Sequence, residues 1–164
     1  MKLVDSSCII CLFSEIERPN VLLDWIKYGY QIVITQHVYD ELQNNVETKN
    51  KATPHIKNGN IIIQNTLSHD EITHLSKRFP YLGFGELSVI QTALSLNRQD
   101  KRYYAVLDDG RARKVALKLG VNLTGTYGLL KTLKEKGYIS EEQFNIYKTE
   151  MNNSSFRINF DRVI

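Results

Sequence analysis

Short apolar runs alternate along the chain with stretches that follow a helical period of about 3.6 residues. Lys2 to Val4 reads as a short buried strand stopped by Asp5-Ser6-Ser7, and Cys8 to Ile16 as an apolar helix. Pro19 opens a second helix through Val21, Leu22, Trp25 and Ile26, which Gly29 ends. Tyr30 to Thr35 is a β-branched second strand, followed by a helix from Gln36 to Gln43. Residues 44 to 58 are polar and carry a Thr53-Pro54 break, so they read as a mobile loop or a weak helix. Asn60 to Gln64 gives a third strand, and Ser68 with Glu71 forms a capping box for a helix running to Phe79.

Gly83-Phe84-Gly85 leads into a helix from Glu86 to Leu96, whose apolar face holds Leu87, Ile90, Ala93 and Leu94. A strand from Tyr103 to Leu107 ends at Asp108-Asp109-Gly110. Ala112, Val115, Ala116 and Leu119 form the inner stripe of the next helix, Gly120 caps it, and Val121 to Thr124 is a last short strand. Gly125-Thr126-Tyr127-Gly128 turns into a helix from Leu129 to Lys136. Ser140 with Gln143 caps a further helix, and a short tail begins near Asn152. This alternation predicts an α/β domain around a mostly parallel sheet of roughly four to five strands.

A length of 164 residues predicts a single domain, 1–164, able to bury a core without disulfides. At 42% hydrophobic and 24% charged, the chain is neither disordered nor membrane-spanning in composition, and no apolar run nears the roughly 18 residues of a spanning helix. Met1-Lys2-Leu3-Val4-Asp5 reaches a carboxylate too soon for a signal peptide, so a cytoplasmic protein is expected. The only cysteines, Cys8 and Cys11, enclose Ile9-Ile10 and precede Leu12-Phe13. That setting favours a buried packing role over a redox pair or half of a zinc site.

Charge divides unevenly. Residues 1–96 hold 8 basic and 10 acidic side chains, and residues 97–164 hold 13 and 8. The basic excess includes Arg111, Arg113, Lys114 and Lys118, a pattern that suits a polyanionic partner or an ordinary solvated helix face.

Acidic residues mark four element boundaries: Asp5, Glu41, Glu86 and the pair Asp108-Asp109. In an open parallel sheet the functional crevice lies beyond the carboxyl ends of the strands, which would gather these groups at one edge. Each has a plainer reading: Asp5 as a helix cap, Glu41 as a solvent-facing residue, Glu86 as a first-turn partner, Asp108-Asp109-Gly110 as a turn. Together they repel at about 4 kcal/mol per unit-charge pair some 4 Å apart at an effective dielectric near 20. Mg²⁺ or Mn²⁺ is the natural counterion for such an oxygen-donor set. His37, His55, His69 and His74 lack ligand spacing and read as surface or loop residues.

The segment Leu107-Asp108-Asp109-Gly110-Arg111-Ala112-Arg113-Lys114-Val115-Ala116, running on through Leu119-Gly120-Val121 to Gly125-Thr126-Tyr127-Gly128-Leu129-Leu130, resembles the PIN-domain ribonucleases. Among these it is similar to the small prokaryotic proteins that include VapC-type toxins and stand-alone relatives. Leu3-Val4-Asp5-Ser6-Ser7 resembles the family's opening strand, Val38-Tyr39-Asp40-Glu41-Leu42 its second acidic helix, and Gly85-Glu86-Leu87 its third acidic position. Two positions depart from the pattern: Glu86 stands where many relatives have Asp, and Leu107 replaces a threonine.

The resemblance implies a PIN-like three-layer α/β/α fold and a metal-dependent endoribonuclease that leaves 5′ phosphate and 3′ hydroxyl ends. It implies a metal and catalytic set of Asp5, Glu41, Glu86 and Asp109, with Asp108 a neighbour or additional ligand and Ser7 orienting Asp5 or a water. Mg²⁺ or Mn²⁺ is the implied cofactor. RNA is the implied substrate, with Arg111, Arg113 and Lys114 as candidates to grip its backbone. Tyr127 or Tyr81 is a candidate to stack on a base, although a core tyrosine is the commoner role. A toxin role, an antitoxin in the acidic groove and a homodimer also follow from the likeness. The alternative is a catalytically silent PIN-like module that binds RNA or protein. Receiver and haloacid-dehalogenase-like phosphotransfer proteins are disfavoured, because Asp5-Ser6-Ser7 lacks a second aspartate two places on and no acidic pair accompanies the first strand.

Overall fold

Five short strands, β1 (Lys2–Val4), β2 (Ile32–Thr35), β3 (Ile61–Gln64), β4 (Tyr104–Val106) and β5 (Leu123–Thr124), run parallel in the order β3-β2-β1-β4-β5. They come from a computed structural model that describes residues 1–65 and 68–154. The helices among these residues are α1 (Ser6–Ile10, continued by a π-helical turn, Cys11–Glu15), α2 (Asn20–Lys27), α3 (Gln36–Leu42), α4 (Val46–Lys57), α5 (His69–Arg78), α6 (Phe84–Arg98), α7 (Gly110–Lys118), α8 (Thr126–Glu135) and α9 (Glu141–Asn153). The expected PIN-like three-layer α/β/α fold, with its parallel central sheet, is present.

From β1 the chain steps one way to β2 and β3, then returns and steps the other way through β4 to β5. Right-handed crossovers therefore send the early and late connections to opposite faces, and the reversal leaves a crevice beyond the carboxyl ends of β1 and β4. The central strands are buried, with Leu3, Val4, Ile32, Ile34, Ala105 and Val106 fully enclosed. α6 packs against β1, β2 and β4, supplying Leu87, Val89, Ile90 and Ala93, while α2 packs against β2 and α8 with Trp25 and Leu22 buried. Cys8 and Cys11 are free, buried thiols, and burial pushes Cys11 up to about 12, so both serve as packing groups.

The opposite edge is closed by Lys2. Its ammonium lies 4.2 Å from the Trp25 ring, 4.7 Å from Tyr30 and 4.8 Å from Tyr104, and burial lowers its pKa to about 8. Among the described residues no helix is long and apolar enough to cross a membrane.

Several expected boundaries shift. Residues 46–57 form a regular helix, not a loop, and Pro54 lies within it. The Asn45 side chain caps the Thr48 N–H at 3.0 Å, Thr48 and Ala52 are buried, and Thr48 Oγ1 lies 2.6 Å from Ser14 Oγ on the π-helical turn. That packing outweighs the hydrogen bond the proline cannot make. α1 starts at Ser6, α6 at Phe84 and α8 at Thr126, each earlier than expected, because groups in their first turns bond across the fold: the Ser6 hydroxyl and the Gly85 N–H to Glu41, and Thr126 to Asp108. α9 continues through Asn153, and the expected tail lies from residue 155 outside the described residues. All four histidines stand on helices; His55 meets Phe13 edge-on and His37 lies against Phe84.

At the end of β2, Thr35 accepts the Val38 N–H at 3.2 Å and contacts Ser88 Oγ at 2.6 Å, while Ser88 donates to the Gly85 carbonyl at 2.6 Å. This buried chain fixes the start of α3 relative to the first turn of α6. Thr35→Val should lower stability by about 1–2 kcal/mol in urea titration with the fold retained, since it uncaps α3 and leaves Ser88 short of a partner.

Candidate metal centre

Parallel pairing of β1 with β4 matches Val4 to Val106, and the Asp5 N–H donates to the Val106 carbonyl at 3.2 Å. This register sets Asp5 beside the chain that leads into Asp108-Asp109. Asp5 is 4% exposed. It occupies the position before α1 but makes no capping bond, so it is not a helix cap in practice. Ser7 Oγ donates to Oδ2 at 2.9 Å, and Oδ1 is buried with no hydrogen-bond partner among the described residues.

Glu41 reaches in from the last turn of α3. Its Oε2 accepts from Ser6 Oγ at 2.7 Å and its Oε1 from the Gly85 N–H at 3.0 Å. A Cβ at residue 85 would overlap the Glu41 carboxylate, which is why a glycine stands there. Glu86, in the first turn of α6, accepts the Gly83 N–H at 3.0 Å. Asp109 caps α7, accepting the N–H groups of Arg111 at 2.9 Å and Ala112 at 3.0 Å, and Arg111 Nε stands 3.8 Å from the same oxygen.

These four carboxylates act on one another. Burial, with the charges of Glu41 and Glu86 adding to it and Ser7 opposing, pushes Asp5 up to about 7. Burial also raises Glu86, reinforced by Asp109 and Glu41 and countered by Gly83 and Arg111. Asp5, Glu41, Glu86 and Asp109 therefore share one electrostatic neighbourhood, although among the described residues no group of three such donors is already drawn to coordinating distance.

Asp108 is turned elsewhere. Its Oδ1 accepts the Thr126 N–H at 2.8 Å and its Oδ2 the Thr126 hydroxyl at 2.6 Å, tying the end of β4 to the start of α8. Gly125 makes room for it, since a Cβ there would crowd Asp108 Oδ1 at 2.8 Å. Arg113 also points inward, donating from Nη1 to the Leu107 carbonyl at 2.8 Å beside this junction. Arg111 and Lys114 remain exposed on α7, and Leu107 is fully buried. Tyr127 lies over Phe144 with ring centroids 6.1 Å apart, a packed position, whereas Tyr81 is 51% exposed and not a core residue.

The donors gathered here are carboxylate oxygens, the type that hard divalent cations take. A buried carboxylate oxygen without a partner, amid further carboxylates that raise its pKa, lacks a positive charge that oxygen-preferring ions supply. Asp5, Glu41, Glu86 and Asp109 are the residues that could hold such an ion. The sequence reading missed Ser6, Gly85, Thr126 and the Thr35–Ser88 pair. Their signal was local: small or hydroxyl residues at the N-cap or in the opening turns of α1, α3, α6 and α8.

A family model described as a PIN domain matches residues 1–163. No curated protein and no solved structure matches the chain at a significant level.

The raised Asp5 couples stability to pH in the metal-free protein. Below an ordinary value of 3.8 both folded and unfolded chains hold its proton; between there and about 7 only the folded chain does, so stability falls as pH rises through this window. In chelator the melting temperature should drop by about 5 °C or more between pH 5 and pH 7.5. Asp5→Asn should flatten that slope, as read by differential scanning fluorimetry.

Proposed function

Because the chain belongs to the PIN-domain family, we propose that it is a Mg²⁺- or Mn²⁺-dependent endoribonuclease that hydrolyses RNA phosphodiester bonds. The observation that supports this reading is the electrostatic coupling of Glu41 and Glu86 to Asp5, and of Asp109 to Glu86, beside a buried, unpartnered Asp5 oxygen. A cation held by these carboxylates would supply acidification of a water and charge neutralisation at the scissile phosphate.

The chain's own residues do the positioning. Asp5 presents Oδ1 while Ser7 holds Oδ2. Glu41 is kept in place by Ser6 and Gly85, and its carboxylate oxygens each retain a second lone pair. Glu86 and Asp109 sit in the first turn and at the cap of α6 and α7, whose amino termini favour negative charge. Arg111 and Lys114 face solvent and would grip the RNA backbone. Arg113 braces the Leu107 carbonyl, and Asp108 anchors α8. An antitoxin segment over the acidic edge, a toxin role and a homodimer are proposals carried by family membership alone.

With millimolar Mn²⁺ or Mg²⁺, purified protein should cleave RNA, and Asp5→Asn or Glu86→Gln should each lower the rate by about 100-fold or more. Undiminished cleavage in EDTA would assign the signal to a contaminant and sink the proposal. Saturating Mn²⁺ should also raise the melting temperature of the wild type and not of Asp5→Asn.

Gly85→Ala separates folding from function. The group its Cβ meets is the far end of a flexible side chain, so the fold should survive with its melting temperature changed by only about 5 °C or less. Glu41 would be displaced, and metal-dependent cleavage should fall by about tenfold or more.

A second reading, a silent RNA- or protein-binding module, draws on one observation: no three donors already stand at coordinating distance among the described residues. RNA binding without turnover in any divalent metal would select it.

A further inference from the structure

A groove of about 400 Å³ opens beside the carboxylate cluster, lined by Phe79, Tyr81, Arg111, Lys114, Val115 and Lys118. Its volume falls within the roughly 300–1,000 Å³ range of small-ligand sites. Three of its six lining residues are cationic and none is acidic. Arg111, Lys114 and Lys118 recur at helical spacing on one face of α7, and among the described residues neither lysine enters an ion pair.

Tyr81 distinguishes this groove from an ordinary solvated helix face. It sits in a turn where the Leu82 N–H donates to the Phe79 carbonyl at 3.1 Å, and both of those residues are 7% exposed. Anchored on either side, the tyrosine is held outward at 51% exposure, with the Phe79 ring edge-on at 6.3 Å. A rigid, exposed aromatic plane next to a row of cations offers stacking and charge neutralisation together, which is the chemistry that retains an unpaired nucleotide strand. The groove joins the carboxylate edge through Arg111, which lines it and also stands 3.8 Å from Asp109.

We propose that this groove is a subsite for single-stranded RNA, in which one base stacks on Tyr81 and the adjoining phosphates lie along Arg111, Lys114 and Lys118. Placing it next to the scissile phosphate rests on the nuclease reading above; binding in the groove does not. Bases inside a duplex are already stacked on one another, so the site selects unpaired strands over helices.

The test is fluorescence anisotropy of wild-type protein in EDTA with a labelled single-stranded oligoribonucleotide of about 12 nucleotides, a length suited to one strand-binding surface. Tyr81→Ala should weaken binding by roughly tenfold, and Tyr81→Trp should restore it. The double variant Lys114→Ala, Lys118→Ala should reduce the slope of log affinity against log salt by about 1.4. The same RNA annealed to its complement should be insensitive to Tyr81→Ala.

Unchanged single-strand binding in Tyr81→Ala, or an equal loss for duplex, overturns the subsite. So does a poly-glutamate peptide that loses the same factor on Tyr81→Ala, which would assign the groove to an acidic protein partner. Cleavage with Mn²⁺ is read in parallel. Active wild type with a silent Tyr81 substitution removes the subsite alone, whereas a Tyr81-dependent affinity without cleavage supports the subsite and removes the nuclease reading alone.

Discussion

Burial of several carboxylates together at the carboxyl edge of β1 and β4, with their mutual repulsion added to it, is the constraint this end of the molecule is arranged to withstand. Two unit charges about 4 Å apart would repel by about 4 kcal/mol at an effective dielectric near 20, against a net gain near 1 kcal/mol for an ordinary hydrogen bond. No single donor balances that. Several are recruited instead: Ser7 to Asp5, Ser6 and the Gly85 N–H to Glu41, the Gly83 N–H to Glu86, and two backbone N–H groups to Asp109. Asp5 is still pushed up to about 7, mainly by burial and further by Glu41 and Glu86, and Glu86 is raised as well.

The same constraint explains residue types that have no chemistry of their own. Gly85 is small because Glu41 lies against its backbone, and Gly125 because Asp108 does. Ser6 and Ser7 are hydroxyls because the first turn of α1 faces anions on two sides. Asp108 and Asp109, adjacent in the chain, have divided their roles. Asp109 faces the cluster, and Asp108 is consumed by Thr126, whose hydroxyl bonds it from another element while Leu107 fills the core.

The two ends of β1 are correspondingly unlike. Lys2 is enclosed by three rings at one end, which leaves that edge closed, while the other end is held open by charge. Arg111 links the charged edge to the groove over α7, countering the rise of Glu86 on one side and lining the cavity with Tyr81 on the other.

The strands, most of the helices and the carboxyl-edge position of Asp5 and Asp108-Asp109 were legible from periodicity and from where apolar runs stop, because these are local consequences of burial. Helix starts were read late at Ser6, Phe84 and Thr126, and α4 was left between a loop and a weak helix, since the partners that stabilise those turns come from distant segments. The amino-acid order alone could place four acids at element ends, supply the basic stripe of α7 and mark the chain as PIN-like. Which aspartate of the pair turns to the cluster, that Arg113 points inward, and that Tyr81 stands in solvent were decided only by tertiary packing. Side-chain direction depends on which neighbours compete for each oxygen and each ring face, and those neighbours are far apart in the chain.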